Sequence, residues 1–156
     1  MRVRGVVHQL SISGGVVPKL PVARAVVGPL GLAGDRHRDT QNHGGPQRAL
    51  CLYSWERIQA LQAEGHPIVA GAMGENVTIA GLDWDLVIPG TRLRLGPQVE
   101  VEVTAYTSPC SNIAAAFRDG GFSRVLQRQH PGWSRVYARV LETGEVGVGD
   151  DVAPSP

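Results

Sequence analysis

The stretch TRLRLGPQVEVEVTAY, residues 91–106, constrains the fold of this chain more than any other. Leu93 and Leu95 alternate with Arg92 and Arg94, and after a Gly96-Pro97 turn Val99, Val101 and Val103 alternate with Glu100 and Glu102. A period of two places every second side chain on the same face of an extended strand, so both segments have one apolar and one charged face. Joined by the short turn they make a hairpin with arginines across from glutamates, each such pair contributing about 0.2–1 kcal/mol. The apolar face must be covered by another layer, which requires further strands.

The rest of the chain supplies them. Its 20 glycines and 11 prolines break the sequence into short apolar runs, as expected of many short strands. RVRGVVHQL (residues 2–10) and ARAVV (23–27) read as strands, and WSRVYARVLETGEVGVGDDV (133–152) as a strand, a turn at Thr143-Gly144 and a closing strand. A helix is expected from Ser54 to Glu64, with Ser54 as cap, Ile58 and Leu61 on one face, and Gly65 as terminator. A shorter one is expected after Cys110, capped by Ser111 and ended by Gly120, and FSRVLQ (122–127) suits a further turn. Strands and helices do not alternate as βαβ units. The expected fold is mainly β, a barrel or sandwich with two or three short inserted helices, in one domain over residues 1–153 with a frayed tail at 154–156.

Composition excludes several functions. A net charge of +1 gives no dominant basic face for nucleic acid. No apolar run approaches the roughly 20 residues that span a bilayer, and the N-terminal residues have no signal-peptide core. Cys51 and Cys110, the only cysteines, do not make a disulfide framework, so a cytoplasmic protein is expected, with no membrane partner.

Three stretches carry candidate chemistry. GDRHRDTQNHGGPQRAL, residues 34–50, gathers Arg36, His37, Arg38, His43 and Arg48 around Gly44 and Gly45. Arginine forks suit phosphate or carboxylate, and glycines let a backbone approach a ligand closely. A solvated loop is the alternative, and the histidine spacing fits no compact zinc motif. In the second stretch, residues 71–83, Glu75 and Asn76 precede the strand-like NVTI. Asn76 either caps a turn or reads a heterocycle edge, with Glu75 orienting an arginine. The third is TSPCSNI, where Cys110 precedes a helix start that would favour a thiolate. Cys110 is then a nucleophile, a sulfur carrier or a soft-metal ligand, or else a small buried hydrophobe. Cys51, in the apolar ALCLYS, reads as core.

In order along the chain, GLAGDRH, HGGPQRALCLYSWE, GENVTIAGLD, PGTRLRLG, PCSNI and GWSRVYARVLETGEVGVGDDV resemble the MOSC domain, named for the C-terminal part of molybdenum-cofactor sulfurases, and most of all its small bacterial stand-alone members. The resemblance implies a β-barrel like the small barrel domain of pyruvate kinase and an association with the molybdenum cofactor, a pterin dithiolene bearing a phosphate. It matches Cys110 to the family's thiolate ligand or sulfur-handling residue. On that reading Arg36, His37, His43, Gly44, Gly45 and Arg48 grip phosphate and pterin, with Glu75, Asn76 and Asn112 near the pterin edge. Some relatives reduce N-hydroxylated small molecules at the metal. Others act in sulfuration, for which Cys110 would carry a persulfide or dock the cofactor without catalysis. The family is also associated with pyridoxal phosphate, which belongs to the aminotransferase-like domain of full-length sulfurases, a domain this sequence does not contain. A reductase of this size needs electrons from separate donor proteins. A cysteine hydrolase with His37 or His43 as base is the alternative from another class, and it requires a thiol–imidazole pair within hydrogen-bond reach.

Overall fold

The computed structural model describes residues 4–15, 17–37 and 45–156. Among the described residues thirteen strands follow in chain order: β1 (Gly5–Ile12), β2 (Gly14–Gly15), β3 (Leu20–Val22), β4 (Arg24–Gly28), β5 (Gly31–Leu32), β6 (Arg36–His37), β7 (Leu50–Ser54), β8 (Val77–Ala80), β9 (Arg92–Leu95), β10 (Val99–Tyr106), β11 (Val136–Glu142), β12 (Gly144–Gly147) and β13 (Asp151–Pro154). The main sheet runs β13-β9-β10-β11-β7-β8-β1-β3, and β13 also pairs with β1. That pairing closes seven strands into a barrel and leaves β3 as an appended edge. All pairs in the ring are antiparallel except β7 with β8.

The hairpin that anchors the sequence reading forms β9 and β10, with Arg94 opposite Glu100 and Arg92 opposite Glu102. Arg92 Nε lies 3.2 Å from Glu102 Oε2, and Arg139 on the next strand adds a 2.7 Å contact to the same carboxylate. Leu93, Leu95, Val99, Val101 and Val103 turn inward and are at most 1% exposed. They pack on Leu10, Leu52, Val77, Ile79, Val136, Ala138 and Val152 in one continuous core.

Helix α1 (Trp55–Ala63) begins where Ser54 Oγ accepts from the Arg57 amide at 3.1 Å, and it buries Ile58 and Leu61. It is the only α-helix among the described residues; the remaining helical segments are 3-10 turns. The segment after Cys110 is one of these, Ser111–Ala116, with Cys110 and not Ser111 at the cap position and no side-chain cap bond. Six residues of 3-10 helix align too few peptide dipoles to supply the α-helix N-terminus that the sequence reading placed beside the thiol.

After the turn at Thr143-Gly144, β12 pairs with β4 in a small separate sheet, β12-β4-β5. At the C-terminus Pro154 pairs with Leu93, Ser155 N donates to Arg92 O at 2.9 Å, and Ser155 Oγ bonds Glu100 at 2.9 Å. Closing the barrel draws the last strand onto β9, and the following residue continues that ladder. Among the described residues no helix is long and apolar enough to cross a membrane.

Candidate functional site

The β7–β11 seam gathers the candidate chemistry. Tyr137 on β11 faces Cys51 on β7 in the strand register. Its phenol lies within electrostatic range of Cys51, Arg135, Arg48 and Cys110. Burial is the main reason the phenol's pKa is pushed up to about 12, with the Cys51 thiol adding to the shift and Arg135 and Arg48 opposing it. Tyr137 therefore stays neutral and hydrogen-bonding across the physiological range.

Each neighbour is placed by a local device. The glycine-rich stretch ends in a 3-10 turn, Pro46–Arg48, entered through Gly45 at φ 81°. A Cβ at Gly45 would meet nothing within 4 Å, so the left-handed backbone, not crowding, is what requires glycine there. A register shift between Val103 and Ala105 frees Thr104, whose hydroxyl donates to Gln47 O at 2.6 Å and ties the turn to β10. Half-buried Arg48 then holds its guanidinium 5.6 Å from the centre of the Tyr137 ring. On the other side, Thr107 N donates to Arg135 O at 2.9 Å, and Ile113 N to Cys110 O at 3.1 Å, with Ile113 buried as the anchor. Between these ties the Cys110 thiol is half-buried.

Behind the seam lie Arg135, which the sequence reading did not single out, and Glu75, which it did. Arg135 is 5% exposed; its Nη1 donates to Met73 O at 2.7 Å and its Nε has no hydrogen-bond partner. Glu75 is fully buried, with Oε1 accepting from Met73 N at 3.2 Å and Oε2 unpartnered. Burial pushes the Glu75 carboxyl above the usual range, against backbone hydrogen bonds and the Arg135 charge that favour ionisation. The folded state thus binds a proton that the unfolded state releases. Stability therefore falls as pH rises from the ordinary glutamate pKa to the raised folded one. Glu75→Gln removes this slope and should raise the melting temperature at pH 8 more than at pH 4; parallel profiles for variant and wild type would contradict the assignment.

Asn76 is also fully buried, and both its amide functions are engaged inside the protein. Oδ1 accepts from Cys51 N at 3.0 Å, while Nδ2 donates to Ser11 O at 3.3 Å and to Asp35 Oδ2 at 2.8 Å. Of the other sequence-derived residues, Asn112 is exposed on the turn after Cys110. The backbones of Arg36 and His37 form β6, paired parallel with Gly14 and Gly15 of β2. His43 and Gly44 lie outside the described residues. Cys51 is buried as expected, with its thiol 3.9 Å from Thr107 Oγ1 and its pKa raised by burial. Arg135 and Tyr137 complete the site, with the buried Lys19–Asp35 pair behind Asn76. Lys19 carried one signal in the sequence: it is the only lysine beside fourteen arginines.

Fold and site together define a small closed β-barrel domain with cysteines and arginines gathered around the β7–β11 seam. The model of the MOSC domain matches residues 39–153, and the chain belongs to the MOSC family. It is 38% identical over 122 residues to the uncharacterised protein YflK of Bacillus subtilis, covering 74% of this chain and 52% of that one. It is 30% identical over 128 residues to a Gibberella moniliformis protein named reductase, covering 79% of this chain and 22% of the other. The crystal structure of YiiM from Geobacillus stearothermophilus superposes with a TM-score of 0.75 at 25% identity, over 97% of this chain and 75% of that one. The chain thus spans about half the length of YflK and a smaller part of the reductase.

Proposed function

We propose that this protein binds the molybdenum cofactor, with Cys110 as thiolate ligand to the metal, and reduces N-hydroxylated small molecules. The observation that carries the reading is the Arg48 guanidinium 5.6 Å from the Tyr137 ring centre, with the half-buried Cys110 and the buried Arg135 within electrostatic range of the same phenol. The donor set fits the cofactor. A thiolate is a soft ligand of the kind such a metal takes, and guanidinium forks suit a phosphate. The buried, unpartnered Nε of Arg135 is a donor in need of an acceptor.

When bound, the cofactor supplies redox chemistry at a metal held by sulfur. The chain's own residues bind and orient. Cys110 would hold the metal through its sulfur, and its position is set by the turn that Ile113 anchors. Arg48 holds a positive charge over the Tyr137 face, and the neutral Tyr137 hydroxyl offers a hydrogen bond without adding charge. The family's link to the cofactor and the similarity to a protein named reductase support a reductive reaction. Electrons would come from separate donor proteins.

The test is molybdenum and pterin analysis of wild-type protein made in a host that synthesises the cofactor, followed by assay with an N-hydroxylated amidine. Near-stoichiometric metal is expected. Arg48→Ala should weaken retention by about 1.5–3 kcal/mol, the worth of a charge-assisted contact to phosphate. Wild-type protein without molybdenum or pterin would set the proposal aside. A persulfide on Cys110 in its place would mark a sulfur carrier.

A further inference from the structure

Asp35 opens the Arg36-His37 strand, yet its own carboxylate points into the protein and is 2% exposed. Oδ1 accepts from Ser13 N at 2.9 Å; Oδ2 accepts from Lys19 Nζ at 2.7 Å and from Asn76 Nδ2 at 2.8 Å. Lys19 is itself 6% exposed. One buried ion pair therefore joins the end of β1, the segment before β3, the start of β6 and the residue before β8. Through Asn76 Oδ1 it reaches Cys51 N on β7, the residue opposite Tyr137.

A buried pair of this kind is a poor source of net stability, because removing two charges from water cancels much of their attraction. What it supplies is direction. Three donors from separate segments converge on one carboxylate, and only that geometry satisfies them all. We propose that Asp35 is a positioning residue for the candidate site, with Lys19 as its counter-ion. It fixes the backbone of Arg36 and His37 against β2 and aligns the Asn76 amide that holds β7. The inference rests on the reading that the glycine-rich stretch and the β7–β11 seam bind the cofactor. It assigns to Asp35 and Lys19 no contact with that group.

The chemistry of the pair provides a test that separates positioning from stability. Asp35→Asn alone strands a buried ammonium, and Lys19→Met alone strands a buried carboxylate, so each single variant should lose stability. The double variant Asp35→Asn/Lys19→Met is neutral, and its melting temperature should return towards wild type. Positioning should not return with it: an asparagine has a single acceptor oxygen and cannot serve both Ser13 N and Asn76 Nδ2 with its amide nitrogen turned to one of them. In cofactor-free protein the Arg36 and His37 amides of the double variant should exchange with deuterium at least about tenfold faster than in wild type. Molybdenum content after expression in a cofactor-making host should fall by about 10- to 100-fold, the usual loss when groups behind the ligands are changed. A double variant with wild-type stability and either unchanged exchange or unchanged molybdenum overturns the proposal. Wild-type protein that holds no molybdenum overturns the functional reading instead, and exchange at β6 then decides the role of Asp35 by itself.

Discussion

Cys110→Ala should strip the protein of molybdenum while leaving its fold intact. The thiol is half-buried and makes no cap bond to the turn it precedes. The turn is held instead by the Cys110 carbonyl, which accepts from Ile113 N, and by the buried Ile113 side chain. Alanine keeps both, so the change in stability should stay within about 0.5 kcal/mol, as for substitutions away from structural features. Ligation is another matter, since no other described thiol is free to replace it. Cys51 is buried, and burial raises its pKa, which opposes the thiolate form that binds metal. Cys110→Ser should behave like alanine, because a hydroxyl is a poor ligand where a thiolate is wanted. The measurement is metal per folded protein with thermal unfolding alongside. Molybdenum retained in both variants would move ligation away from Cys110.

Asn76→Ala should produce the largest loss of stability of any substitution at a polar position near the site, about 3–5 kcal/mol. The estimate comes from the partners it would abandon. Cys51 N, Ser11 O and Asp35 Oδ2 would each lose a hydrogen bond in a place without solvent access to the side chain. An abandoned buried polar group costs about 1–3 kcal/mol, more when charged. The Asn76 backbone bonds, N to Cys51 O at 2.7 Å and O from Ser11 N at 2.8 Å, survive the change. The strands should therefore stay paired in the folded state, with a lower denaturant midpoint and an unchanged slope. Total stability of such domains is only about 5–15 kcal/mol, so the variant would sit near the edge of folding at 37 °C. A loss below about 1 kcal/mol would mean that water fills the space and satisfies all three groups.

Asn76 was legible as a residue of interest because it stands between a glycine turn and a strand, but its partners were not. Ser11, Asp35 and Cys51 are 65, 41 and 25 residues away in the chain. Nothing in local spacing says whether an amide points to a ligand or to its own fold. Arg135 was hidden for a similar reason. In SRVYAR it looks like a polar residue at a strand edge, yet β11 begins between two other strands and takes the guanidinium inside. Cys110 was visible, but the helix imagined behind it was not the one that formed. Its Ser-Asn start and alanine run suit an α-helix, while the segment folds as a short 3-10 turn.

What the sequence determined by itself are the features governed by neighbours in the chain. The two-residue alternation makes β9 and β10 a hairpin with arginines facing glutamates, because side-chain direction in a strand depends only on parity. Ser54 starts α1 because a hydroxyl at that position can take an orphan amide of the first turn. The order of the glycine, arginine and cysteine stretches was enough to point to the family. Tertiary structure alone decided which strands meet: β13 on β1 to close the barrel, and β12 on β4 in a separate small sheet. It also decided which charges are buried. Lys19, Asp35, Glu75 and Arg135 are stable inside only where distant segments bring donors, acceptors or opposite charges to them. That supply depends on long-range pairing, which no local pattern encodes.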